Sequence, residues 1–132
     1  MASPPASKPF YTSDDLVLEA LANLGVLAAG QTVSPEDFNY VNNRIDAICR
    51  KLAALEICYV PDFENIPGEW FIDLAAIVAG ECAMKFGASA DYIGPLIQSG
   101  LGSPPGSGTA AISLKIMLRG RPTGEPQVTY SF

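Results

Sequence analysis

No histidine occurs among the 132 residues of the chain. That absence removes the commonest general base, the commonest metal ligand and the one side chain that titrates unperturbed near neutrality. Ser-His-Asp and Cys-His nucleophile systems, zinc sites built with histidine, and histidine pH switches are excluded with it. Cysteine is scarce too: Cys49, Cys58 and Cys82 are an odd number and include no C-x-x-C pair, which argues against a disulfide framework and against structural zinc. Cys49 and Cys82 lie in apolar, helix-like stretches and read as buried small hydrophobes in a reducing compartment. Cations are outnumbered, with 8 Lys+Arg against 14 Asp+Glu and a net charge of −6. A tightly held nucleic acid needs clustered Lys and Arg, so it is not expected as a ligand. No apolar run approaches the roughly 20 residues that span a bilayer. The start MASPPASKPFY has no apolar core of a secretory signal, so a soluble chain made in the cytoplasm is expected.

What is present is apolar and periodic. Hydrophobic residues make up 48% of the chain, and at this length one domain can bury roughly two thirds of its unfolded surface. Residues 1–11, with Pro4, Pro5 and Pro9, read as a flexible or extended arm. Thr12 and Asp15 fit a capping box, after which Val17, Leu21 and Leu24 share a stripe that stops at Gly25. A loop from Gly25 to Val33 contains Gly30. Ser34-Pro35-Glu36-Asp37 then supplies a cap, a proline at the first helical position and two acids for the helix dipole. Phe38, Val41, Ile45, Ile48, Leu52 and Leu55 follow at spacings of 3, 4, 3, 4 and 3. The run to Ile57 predicts a helix of about 34 Å. It covers under three heptads without paired flanking charges, which favours packing within a bundle over a coiled-coil seam.

Pro61 ends that helix, and residues 62–67 connect to a third, predicted from Gly68 to Phe86 and closed by Gly87. Trp70, Leu74, Ile77 and Val78 face inward on it, with Cys82 and Phe86 as further candidates, and its alanines let neighbours approach closely. Ser89 is placed to cap a fourth helix, which Gly94-Pro95 should kink or shorten. The Gly-, Ser- and Pro-rich run 100–108 reads as an exposed loop or hinge. Beyond it, Ile112, Leu114, Ile116 and Leu118 alternate with other residues as in a strand, while Thr109-Ala110-Ala111 suits a helix start; both remain open on pattern alone.

The reading is therefore all-α: a small bundle of four to five helices with an extended N-terminal arm and an extended C-terminal tail. Its parts are an arm at 1–11, a helical core at 12–99, a loop at 100–109, a last helix or strand at 110–119 and a docking tail at 120–132. In the tail, Val128, Tyr130 and Phe132 alternate with Thr129 and Ser131, so one apolar edge can fill successive pockets. Pro122 and Pro126 restrict the unbound chain, and Arg119, Arg121 and Glu125 supply charge for a partner surface. No phosphate-cradling glycine loop is present, and the acid pairs Asp14-Asp15 and Glu36-Asp37 are accounted for by helix starts. Asp62 and Glu64 lack the ligand count of a calcium loop. No catalytic, cofactor or metal residue is assigned, and the chain reads as no enzyme.

Several phrases together are specific. They are Asp15-Leu-Val-Leu-Glu-Ala-Leu-Ala-Asn-Leu-Gly25-Val, Ser34-Pro-Glu-Asp37, Leu52-Ala-Ala-Leu55, Pro67-Gly-Glu-Trp70 and Arg119-Gly-Arg-Pro-Thr-Gly-Glu-Pro126 before a terminal aromatic. In order and spacing the chain resembles the head-to-tail adaptor proteins of tailed bacteriophages, also called tail accessory factors or packaged-DNA-stabilisation proteins, over residues 12–98 and 110–132. The resemblance implies a helical bundle assembled as a homo-oligomeric ring, usually of twelve copies, below the portal protein in the virion neck. Such a ring extends the DNA channel, helps retain the packaged genome and carries tail or nozzle proteins, with DNA passing through unbound. It also implies a C-terminal segment that reaches the portal or a neighbouring subunit, and it favours helix for 110–119. The glycine-rich stretch 100–108 departs from the family, in which this region tends to continue as helix. The other reading of the same pattern is a helical interaction or regulatory module without catalytic activity.

Overall fold

Thr12 opens the first helix as its capping box requires. Its Oγ1 accepts a hydrogen bond from the Asp15 backbone N–H at 3.2 Å, and the Asp15 carboxylate accepts one from the Thr12 N–H at 3.1 Å. Two amides without a preceding helical turn are thereby paired. The computed structural model describes residues 10–26, 32–87 and 90–120, with side chains through residue 117 except that of Ala90. The arm before Phe10, Gly30, Ser89 and the tail beyond Gly120 lie outside the described residues.

Helix α1 spans Ser13–Asn23 and buries Leu16, Val17, Ala20 and Leu21. It ends in a Schellman turn, in which the Gly25 N–H donates to the Ala22 carbonyl and the Val26 N–H to the Leu21 carbonyl. Gly25 has φ +77°, the left-handed conformation this turn needs. Helix α2, Pro35–Ala54, has Ser34 as its cap and Pro35 in its first turn, and it buries Val41, Ile45, Ile48, Cys49 and Leu52.

The predicted stripe of α2 fails at its last member. Leu55 is 41% exposed and Phe38 only half-buried. The helix stops at Ala54, not near Ile57, because Glu56 takes a left-handed φ of 59° and closes a second Schellman turn. The Glu56 N–H donates to the Ala53 carbonyl and the Ile57 N–H to the Leu52 carbonyl. That reversal turns Leu55 outward and carries Ile57 and Cys58 into the core in its place.

Two residues of the predicted arm are ordered by the same core. Phe10–Tyr11 forms a short strand, β1, antiparallel to β2 at Ile66–Pro67, with Tyr11 opposite Ile66. The Tyr11 ring lies on that of Phe71, with centroids 4.0 Å apart and planes 12° from parallel.

Helix α3, Gly68–Cys82, is buried nearly all round, at Trp70, Phe71, Leu74, Ala75, Ile77, Val78, Ala79, Gly80 and Cys82. It touches α1, α2, α4 and α5, so it is the axis of the bundle. It tightens into a 3₁₀ turn at Ala83–Phe86, closed by Gly87 at φ +73°.

Helix α4, Ala90–Ser99, stays helical on both sides of Pro95. It crosses α3 at close backbone range. A Cβ on Gly80 would stand 3.0 Å from the Leu96 carbonyl oxygen, and one on Gly100 only 2.7 Å from that of Ala76.

The stretch 100–108 is a loop with an exposed tip, and it is anchored at its base. Leu101 is 2% exposed, and its carbonyl accepts from the N–H groups of both Gly106 and Gly108. Gly102 N–H donates to Ile97, and Ala111 N–H to Gly100. The turn is thus tied back to α4 before it and α5 after it, with Ser103, Pro104 and Pro105 at its exposed tip. Residues Thr109–Gly120 form helix α5, which resolves the choice between helix and strand. Ala110, Ala111 and Leu114 are buried, while Ile112 and Ile116 point outward.

Candidate docking surfaces

The docking residues read from the sequence follow directly on α5. Arg119 stands in its last turn, its side chain outside the described residues. Arg121, Pro122, Glu125, Pro126, Val128, Tyr130 and Phe132 lie outside them altogether. What the structure adds is the surface that leads up to them. Ile112 and Ile116 are one turn apart on the outer side of α5, and Ile116 is 63% exposed. Residues at this spacing share a helix face.

A groove of about 330 Å³ is lined by Glu19 and Asn23 of α1, Ile72, Ala76 and Ala79 of α3, and Leu96 and Ser99 of α4. Ile72 is 71% exposed there, on a helix whose other apolar side chains are buried or half-buried. Another groove, about 350 Å³, lies between α2 and the connector that follows it. Asp46, Cys49, Arg50 and Ala53 form one wall, and Tyr59, Val60, Pro61 and Phe63 the other. Arg50 Nε donates to Asp46 Oδ2 at 2.8 Å across one turn of α2, with both side chains largely in water.

A third feature joins α2 to the 3₁₀ turn. Arg44 and Lys85 both approach the ring of Tyr40, and Phe86 meets that ring edge-on. Nothing in the sequence pattern marks Tyr40, Arg44 and Lys85 as a group, because they come from elements that only the fold brings together.

The cysteines are inert in this setting. Burial pushes the Cys49 thiol up to about 12, with Cys58 and Asp46 acting in the same direction. Burial likewise raises Cys58 to about 11, and Cys82 to about 11 despite the opposing pull of Arg44. Near neutrality all three stay protonated, and the thiol is a poor nucleophile compared with the thiolate. Among the described residues no group of three or more His, Cys, Asp or Glu side chains is placed to hold a metal ion, and no helix is long and apolar enough to cross a membrane. No protein-family model matches the chain, and neither curated proteins nor solved structures give a match.

Proposed function

We propose that this chain is a structural, non-catalytic head-to-tail adaptor of a tailed phage, assembling as a ring below the portal and passing DNA towards the tail. The observation that carries the reading is the outward apolar pair Ile112 and Ile116 on α5. Twelve residues after Ile116 in the sequence begins the segment where Val128, Tyr130 and Phe132 alternate with Thr129 and Ser131. An outward apolar pair on the last helix, followed later in the sequence by an apolar alternation, fits a surface covered by a portal or neighbouring subunit. The phage phrases in the sequence point the same way. An acid excess suits the channel, since a wall that repels phosphate lets the duplex slide. The protein would then reside in the virion neck after synthesis in the host cytoplasm.

Deleting residues 122–132 tests this reading. Thermal melting of the bundle should stay almost unchanged, because the core from Leu16 to Leu114 is intact. Ring assembly, followed by sedimentation and light scattering with and without portal protein, should be lost. Wild-type affinity of the truncated chain for portal would overturn the docking role of the tail, and a full-length chain that stays monomeric under both conditions would overturn the ring.

A further inference from the structure

Two cations share one aromatic ring on the outside of the bundle. The Arg44 guanidinium lies 4.8 Å from the centre of the Tyr40 ring one turn before it on α2. The Lys85 ammonium, delivered by the 3₁₀ turn after α3, lies 5.3 Å from the same centre. Phe86 holds the ring from its edge, centroid to centroid 5.8 Å. Among the described residues neither cation has a carboxylate within ion-pair distance, whereas Arg50 pairs with Asp46 and Lys51 with Glu81. In a chain with 14 acids and 8 bases that is unexpected, because carboxylates are plentiful. The ring attracts each cation, but neither has a carboxylate partner among the described residues. Carboxylates arriving from outside would supply that partner.

The opposite charge gathers at the other end of α3. Asp62 and Glu64 are exposed in the connector before it and Glu69 is exposed in its first turn. None of the three has a cation within ion-pair distance among the described residues. The Asp62 carboxylate accepts from Asn65 Nδ2 at 2.7 Å and from the Glu64 N–H at 2.9 Å. These bonds hold its pKa below the usual carboxylate range and keep it charged. Glu69 in the first turn of α3 and Lys85 just beyond its last turn are separated by the length of that 15-residue helix, about 22 Å.

We propose that Tyr40, Arg44 and Lys85 form the receiving half of a head-to-tail contact between copies of this chain, taking Asp62, Glu64 and Glu69 of the next copy. The proposal rests on the ring reading and specifies one of its interfaces. Complementary charges at two different ends of one molecule favour a heterologous contact, the kind that closes rings. A two-fold contact through either end would set like charges against each other. A phosphate backbone is the poorer occupant, because two cations in a chain of net charge −6 release few counterions.

Two charge-reversed variants of the full chain, Arg44→Glu with Lys85→Glu and Glu64→Lys with Glu69→Lys, test the contact by sedimentation, alone and with portal protein. All four side chains are exposed, and circular dichroism melting checks that both variants fold. Each variant alone should need at least about tenfold more protein than wild type to assemble, since like charges meet at the contact. Mixing them should restore assembly near the wild-type concentration, because every contact in an alternating ring is again complementary. High salt should weaken the wild-type assembly. Unchanged assembly of Arg44→Glu with Lys85→Glu, or no recovery on mixing, would overturn the contact while leaving the ring. Loss of duplex DNA binding in that variant with assembly intact would assign the cations to nucleic acid instead. A wild-type chain that stays monomeric alone and with portal removes the ring and this contact together.

Discussion

Helix α3 is packed in two different ways on its two sides. Towards α1 and α2 the space is filled by large aliphatic side chains, among them Leu16, Leu21, Val41, Ile45 and Leu52. Towards α4 and the turn after it the main chains themselves come together, at Gly80 against Leu96 and at Gly100 against Ala76. The first side is graded by volume, since removing methylenes leaves a cavity whose cost scales with its size. The second is a steric threshold, because a single added Cβ meets backbone that has nowhere to go. A sequence rich in alanine and glycine on α3 announces close approach, but not against which neighbour.

Breaking the threshold side should have the largest effect. Gly102 has φ +90°, and a Cβ there would overlap the backbone nitrogen of Gly108. Gly102→Ala therefore combines left-handed strain with a clash and should cost more than about 4 kcal/mol. Urea unfolding should show a large fall in midpoint or loss of the cooperative transition. A near wild-type midpoint would show that residues 100–108 are a pliable loop after all.

The graded side should respond less steeply. Ile48, 6% exposed in the middle of the α2 stripe, should cost about 2 to 5 kcal/mol on substitution by Ala. A loss under about half a kcal/mol, in the range of surface substitutions, would show that this face is not the core.

The effect that is absent at neutral pH sharpens the comparison as pH rises. Burial raises Cys49 from an ordinary 9.0 to about 12, and Cys58 and Cys82 to about 11. Below the unfolded value near 9 the thiols are protonated in both states and their contribution is fully present. As pH rises from about 9 towards 11 to 12, the unfolded chain releases protons that the folded chain retains, so stability falls. Urea midpoints measured across that window should decline. The triple variant Cys49→Ala, Cys58→Ala, Cys82→Ala should flatten the decline, and an unchanged slope would assign the alkaline loss to other groups.

The two helix ends that carry Schellman turns show how far the sequence could be read. The end of α1 was legible because Gly25 occupies the left-handed position, where glycine carries no steric penalty. The end of α2 was not, because Glu56 adopts the same conformation without glycine and the apolar period runs on through Leu55. The strand β1 was equally hidden. Two residues carry no periodicity, and Phe10 and Tyr11 are ordered by Ile66, Pro67 and Phe71 far along the chain. For the candidate surfaces the tail residues were visible as an alternating pattern, whereas Ile72 as an exposed member of a buried helix was not.

What the sequence determined by itself is the set of local decisions. The capping box of α1, the Ser34 cap and first-turn proline of α2, the 3.6-residue apolar period and the missing histidine are properties of the chain's own residues, and short-range chemistry settles them. What only the tertiary structure decided is which distant groups meet. The glycine-rich run 100–108 became a turn anchored in the bundle because Leu101 finds a place in the core and its carbonyl two donors. Arg44 and Lys85 came to share the Tyr40 ring because α2 meets the 3₁₀ turn that follows α3. Both outcomes depend on how helices pack in three dimensions, a relation that spacing along a chain does not encode.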